Sequence, residues 1–192
     1  MLTKLICFIF ISYNAFGLTG LDVMKSVQTE SQKKNTRKAI VTMEINDAEK
    51  RTRTRRFNYW IKYTKETMST NNADESVTAN YQTNESSLIK FFLPKNVKGT
   101  SLLTNTENGA DTKLQWIYLP AFKSVKRLSS SDKNKSFMGS DFTYSDIAGR
   151  KLTQDTHTLM KETDSHYYIE SIPNKLDTSL YSKIRYVISK QY

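Results

Sequence analysis

The sequence has 192 residues, of which 38% are hydrophobic and 25% are charged, and its formal net charge is +10. This length is sufficient for one domain with a sizeable core, and the composition excludes intrinsic disorder. A single cysteine excludes a disulfide-bonded scaffold and a zinc site built on several thiolates.

Residues 1–17 have the features of a secretory signal peptide. Lys4 supplies a positive charge, an uncharged apolar stretch follows, and Ala15 and Gly17 suit a cleavage site. A membrane anchor is the alternative, but the apolar stretch is shorter than the roughly 20 residues that a spanning helix needs. We therefore expect residues 18–192 to form a single exported domain in the periplasm, without Cys7.

A short helix is predicted directly after this segment, followed by strands. Leu21, Met24 and Val27 recur at three-residue spacing, and Thr19 or Asp22 can cap the first turn. The remaining chain largely alternates apolar and polar residues with a period of two, which predicts half-buried antiparallel strands. Asn108-Gly109 predicts a tight hairpin turn. The predicted strand segments are RKAIVTMEI, FNYWIKY, SLIKFFL, KLQWIYLP, FKSVKRL and SKIRYVIS.

Apolar residues at matching positions of these strands predict one concave sheet face that binds a hydrophobic ligand. An ordinary filled core is the alternative. Such a face must be covered, and the N-terminal helix and residues 129–147 are the two candidates. The predicted face consists of Ala39, Val41, Met43, Tyr59, Ile61, Ile89, Phe91, Trp116 and Tyr118.

Residues 129–147 combine serines and aspartates with large apolar side chains. Phe137, Met138, Phe142 and Tyr144 are expected to lie over the open side of the sheet and to contact the ligand. The serines and aspartates, Asp141 among them, are expected to satisfy backbone amides in turns. We therefore predict a structural and gating loop rather than a catalytic one.

The sequence contains no set of residues with catalytic or metal-binding spacing. His157 and His166 have no second histidine or cysteine at ligand spacing, and both are expected to be exposed. Gly139-Ser140-Asp141 does not match a nucleophile elbow. We therefore predict a protein that is not an enzyme and that has no cofactor and no metal.

Residues 50–56, KRTRTRR, concentrate positive charge at a predicted strand start. Such runs often bind nucleic acid, but an exported protein is not expected to meet that partner. An anionic membrane surface or an acidic partner is the better prediction. A solvated strand end is the alternative.

Three linked segments resemble the outer membrane lipoprotein-sorting protein family, the relatives of the periplasmic carrier LolA. Their pattern is P-x-x-x-K-G-T, then W-x-Y-L-P, then R-x-S-S-S-D and F-M-G-S-D-F-T-Y. The resemblance extends from about Leu21 to the C-terminus. The segments are residues 88–104, residues 116–147, and GLDVMKSV after the signal.

The resemblance implies a mainly β fold, a curved and half-open antiparallel β-barrel with a short N-terminal helix and a loop or helical lid. It implies a non-catalytic carrier whose apolar cavity holds lipid or lipoprotein acyl chains, with an inner-membrane transporter as a further partner. A lipid- or peptide-sensing regulator of the same fold is the alternative. Because such domains continue with further strands, a chain that stops at Tyr192 is expected to lack the last strands.

Overall fold

The computed structural model describes residues 17–67, 81–106, 113–175 and 180–191. The predicted signal peptide, apart from Gly17, and the Asn108-Gly109 turn lie outside these residues. No described helix is both long and apolar enough to cross a membrane. The elements in chain order are α1 (Gly20–Gln32), β1 (Thr36–Asn46), β2 (Thr52–Thr67), β3 (Tyr81–Leu93), β4 (Ser101–Thr106), β5 (Lys113–Leu119), β6 (Ser124–Arg127), α2 (Ser130–Lys133), α3 (Tyr144–Ala148), β7 (Asp155–Glu162), β8 (His166–Pro173) and β9 (Ile184–Ser189).

Strands β1 to β6 form one antiparallel sheet in which each strand pairs with the next along the chain. This order follows from the period-two segments, because strands that are neighbours in sequence pair most readily when their connections are short. A register shift between Arg56 and Phe57 places a bulge between β2 and β3, and bulges bend and twist a strand. The prediction of a mainly β, open antiparallel sheet is confirmed, and β1 and β6 form its two edges.

Helix α1 packs on the second sheet, whose strand order is β7-β8-β9. Thr19 caps the helix in a capping box with Asp22, as its position in the sequence predicts. Gly20 permits a close approach, because an added Cβ would lie 2.7 Å from the carbonyl oxygen of His157. The helix was one of two predicted covers for the larger sheet, but it covers the smaller sheet instead.

The main core lies on one face of the six-stranded sheet. Residues 129–147 cover that face, as predicted, and contribute Phe137 to its centre. The buried members of the core are Phe57, Ile89, Phe91, Leu102, Ile117, Leu128 and Phe137, with Val41, Met43, Tyr59, Val97, Leu119, Met138, Tyr144 and Ile147 packed against them.

Trp116 and Tyr118 do not lie on this face, so their predicted placement is wrong. Across the sheet Ile61 pairs with Ser87, Ser87 with Thr104, and Thr104 with Gln115. Cross-strand partners share a side, and successive residues of a strand alternate sides. Gln115 and Ile117 therefore point to the core, whereas Trp116 and Tyr118 point to the opposite side.

Candidate functional site

Residues 129–147, here named the plug loop, are organised by two capping boxes. Ser129 and Asp132 exchange side-chain and backbone hydrogen bonds at the start of α2, and Thr143 and Asp146 do the same at the start of α3. Each box satisfies amide groups that a short helix leaves without intrahelical partners. The prediction that serines and aspartates of this loop bond backbone amides is confirmed for these boxes, but Asp141 is not part of either one.

A tight turn between the two helices inserts Phe137 into the sheet. Met138 and Gly139 have φ angles of 56° and 79°, and a side chain tolerates that region less readily than glycine does. The amide of Phe137 donates to the carbonyl of Phe142 at 2.6 Å, and the Ser140 hydroxyl donates to the carbonyl of Phe137 at 2.7 Å. This turn fixes the direction in which the Phe137 ring points.

The Phe137 ring is 1% exposed and lies at the centre of an aromatic cluster. Its centroid is 5.8 Å from that of Phe91, 6.5 Å from that of Phe57 and 5.5 Å from that of Tyr144. The Phe57 and Tyr144 rings meet it edge-on, an arrangement that aromatic pairs favour. The plug loop therefore occupies the apolar face of the sheet in this structure.

Polar contacts hold the plug loop against the strands around this cluster. The Gln115 amide, fully buried, donates to the carbonyl of Tyr144 at 2.9 Å. Arg55 Nε donates to the carbonyl of Met138 at 2.9 Å, and the ammonium of Lys126 lies 3.1 Å from the carboxylate of Asp132. These contacts tie the loop to β2, β5 and β6, so its position over the sheet is fixed on several sides.

The electrostatics of the plug loop centre on Asp132. Hydrogen bonds from Lys135, Lys126 and Ser129 hold the pKa of this carboxyl well below its ordinary value. Burial raises the pKa of the Tyr59 and Tyr144 phenols, which are neutral at physiological pH even at their ordinary pKa. The face beneath the loop carries no charge of its own from these two tyrosines.

The structure brings together eight of the predicted ligand-binding residues. Ile61 shares their side of the sheet by register but is not part of the core cluster. Phe142 is 54% exposed and does not tuck under the loop, so that prediction is wrong. It follows the turn, and its carbonyl accepts from the amide of Phe137. The eight are Val41, Met43, Tyr59, Ile89, Phe91, Phe137, Met138 and Tyr144.

The sequence analysis missed several residues of the same face. Phe57 belongs to it because the bulge beside Arg56 leaves Phe57 opposite Phe91. Leu102 and Ile117 belong to it by register with Ile89. The alternation of side chains along a strand could have identified these residues. The continuous apolar stretches around Leu102 and Ile117, however, do not show which alternate residues face the core.

The basic residues 50–56 lie at the start of β2, as predicted. Lys50 closes the turn before the strand, and Arg53 is exposed. Arg55 contacts the plug loop, and the Arg56 guanidinium lies 5.3 Å from the centre of the Phe92 ring. The run therefore contains both exposed cations and cations with packing roles.

His157 and His166 are both half-buried rather than exposed as predicted. His157 fills a polar niche in the smaller sheet. Its Nδ1 lies 2.7 Å from the Ser171 hydroxyl and its Nε2 lies 3.0 Å from the carbonyl of Leu152. Both ring nitrogens are thus engaged in structural contacts. Among the described residues no group of three or more histidine, cysteine or acidic side chains is arranged to hold a metal.

Residues 83–192 match a family model described as "-like: Uncharacterized protein". That match covers more than half of the chain, so the chain belongs to this family, whose description names no activity.

Two solved structures share the fold. A DUF1329 family protein from Desulfovibrio piger has a TM-score of 0.69 and 26% identity, over 89% of this chain and 67% of that one. A domain from Vibrio parahaemolyticus, provisionally described as an outer membrane lipoprotein-sorting protein domain, has a TM-score of 0.66 and 25% identity, over 90% and 67%. No curated protein matches the sequence. The predicted similarity to lipoprotein-sorting proteins is confirmed.

Proposed function

We propose that this chain is a non-catalytic periplasmic carrier that holds an acyl chain between the six-stranded sheet and the plug loop. The observation that most supports this is the nature of the cover. A single loop with two short helices closes the apolar face, and Phe137 fills its centre. A loop opens at lower free energy than a paired sheet, so such a cover suits a site that is filled and emptied.

In this proposal the acyl chain replaces Phe137 when the plug loop moves outward. Val41, Met43 and Tyr59 lie only partly buried beside the fully buried Ile89 and Phe91. An acyl chain gains about 0.8 kcal/mol per buried methylene, so contact with these residues offsets the loss of the Phe137 contacts. Met138 and Tyr144, which move with the loop, would contact the acyl chain from its outer side, and Ile61 would extend the floor of the site.

The similarity to the Vibrio domain supports a proposal about the cargo class and the compartment. We propose that the cargo is a lipid or lipoprotein delivered by an inner-membrane transporter. Export would remove residues 1–17 and leave residues 18–192 as one domain. Residues 50–56 would assist the approach to anionic headgroups.

Two neighbouring residues on opposite sides of β1 test the location of the ligand site. Val41→Thr adds a hydroxyl to the covered face, whereas Ile40→Thr changes the exposed side of the same strand. We expect Val41→Thr to weaken binding of a fluorescent fatty acid several-fold, because an unpaired hydroxyl next to an acyl chain is costly. Ile40→Thr should leave the affinity unchanged.

Mass spectrometry of the purified chain should also recover a co-purified lipid. The proposal fails if wild-type protein neither carries lipid nor binds the fatty acid. An equal loss of affinity in both threonine variants would place the ligand away from the covered face.

A further inference from the structure

We propose that the outer face of the six-stranded sheet, the side opposite the plug loop, docks on an anionic phospholipid membrane. This surface is distinct from the covered face and from the basic turn at residues 50–53. The inference does not depend on the carrier function, because membrane docking requires no ligand under the plug loop.

A row of apolar side chains crosses the middle of the outer face. Trp60 pairs with Leu88, Leu88 with Leu103, and Leu103 with Trp116. Because directly paired residues share a side of the sheet, these four side chains form a continuous row. Leu88 and Leu103 are exposed, and an apolar groove of about 190 Å³ lies beside them and Trp60.

The neighbouring row adds apolar side chains only at its two ends, because Asn58, Lys90 and Ser101 lie between them. Tyr118 pairs with Val125 at one end, and Ile40 lies at the other end on β1. All three are exposed, with Val125 at 64% and Ile40 at 63%. The continuous row through Leu88 and Leu103, with these residues beside its ends, marks an interaction site more often than isolated exposed residues do.

Three adjacent rows matter here: the apolar row, the row of Tyr118 and Val125, and the row of Lys62 on the other side. The charged residues in these three rows are all basic. Lys38 and Arg127 flank the apolar row, and Lys90 and Lys62 lie on either side of it. No acidic residue occupies the three rows within the paired part of the described strands. The Lys38 ammonium lies 5.7 Å from the centre of the Trp60 ring, so a cation and an indole share one edge of the surface.

These features favour a membrane over a second copy of the chain. Two copies meeting through this face would bring lysines against lysines, and such like-charge contacts are unfavourable. Anionic headgroups complement the cations, while indole and phenol rings suit the boundary between headgroups and acyl chains. Lysine stems can lie along apolar surface with the ammonium directed to phosphate. The surface therefore fits an anionic lipid bilayer.

Tryptophan fluorescence reports on this docking directly, because the sequence has two tryptophans and both lie in the outer row. We expect vesicles of phosphatidylcholine with about one-third phosphatidylglycerol to sediment with the protein and to shift its emission to the blue. Lipids brominated on the acyl chain should quench that emission. Vesicles of phosphatidylcholine alone should bind at least tenfold more weakly.

Matched variants separate this face from general surface effects. Val125→Glu on the outer face should weaken vesicle binding at least tenfold, and Leu103→Glu should do the same. Val187→Glu on β9, where the valine is 63% exposed, should change it less than twofold. Fatty-acid affinity should stay unchanged in the two outer-face variants, because the acyl site lies on the other side of the sheet.

Three results would overturn the proposal. Wild-type protein that neither sediments with the anionic vesicles nor shifts its emission would leave an acidic protein surface as the other occupant. Sedimentation without quenching would place the contact elsewhere on the molecule. An equal loss in Val187→Glu would show that added negative charge alone explains the variants. Wild-type protein that docks on the anionic vesicles but does not bind the fatty acid would count against the carrier function only.

Discussion

At the residue scale, two phenylalanines of the plug loop differ sharply in burial. Phe137 is 1% exposed within the aromatic cluster, whereas Phe142 is 54% exposed. Phe137→Ala should lower the free energy of unfolding by about 3–5 kcal/mol, because it leaves a cavity in a packed core. Phe142→Ala should cost less than about 1 kcal/mol. Denaturant unfolding of both variants measures the difference, and equal losses would contradict the burial of Phe137 over the sheet.

The same scale shows where sequence reasoning succeeds and where it fails. Val41, Met43, Ile89 and Phe91 were placed on the covered face by alternation, and the structure confirms that placement. Alternation does not place Trp116 correctly, because in the stretch WIYL the residues pointing to either side of the strand are apolar. The buried residues of that strand are Ile117 and Gln115, and the Gln115 amide donates to the carbonyl of Tyr144. A polar side chain is tolerated in the core when such a partner exists, and a distant partner cannot be read from strand parity.

At the element scale, the start of α2 depends on the ionised state of Asp132. Its pKa in the folded protein is depressed, so the carboxylate contributes stability at pH values above its ordinary pKa of about 3.9. That contribution is lost as the pH falls from about 5 towards the lower, folded-state pKa. Asp132→Asn should therefore flatten the loss of stability on acidification. Urea midpoints between pH 7 and pH 3 provide the measurement.

Asp141→Asn is the matched control for this pH dependence. Asp141 lies in the same loop but outside both capping boxes, and it is exposed. Its variant should lose stability on acidification as steeply as wild type. If Asp132→Asn shows the wild-type slope as well, the lysine contacts of Asp132 do not stabilise the loop.

Element positions were easier to predict than element partners. The N-terminal helix and its Thr19 cap follow from local signals, because capping depends on residues within one turn. The sheet that α1 covers does not follow from local signals. It involves the close approach of Gly20 to β7, a contact between segments far apart in the sequence.

At the scale of the whole molecule, the net positive charge and the apolar residues on both sides of the larger sheet determine which surfaces the protein can contact. The net charge is +10, or +9 once residues 1–17 with Lys4 are removed. Open antiparallel architecture could be predicted from strand rhythm. The apolar outer face could not, because period-two alternation predicts one apolar side and one wet side for each strand. Trp60, Leu88 and Leu103 place a second apolar surface on the side expected to be wet.

The net positive charge leads to a prediction that membrane binding depends on where the positive charges lie and not only on their number. Lys50→Gln combined with Arg53→Gln removes two positive charges from the turn before β2, and Lys95→Gln with Lys98→Gln removes two from the segment after β3. All four positions are exposed. A basic residue near an anionic membrane contributes about 1 kcal/mol, so the first pair should weaken binding to anionic vesicles about tenfold or more at 0.1 M salt. At about 1 M salt, where the Debye length falls to about 3 Å, the difference from wild type should disappear.

The Lys95→Gln and Lys98→Gln pair is the control for the location of the charge. It removes the same charge and should weaken binding less than the first pair at low salt. Equal losses in both pairs would mean that net charge alone drives association, and no loss in either would leave residues 50–56 as a solvated strand end.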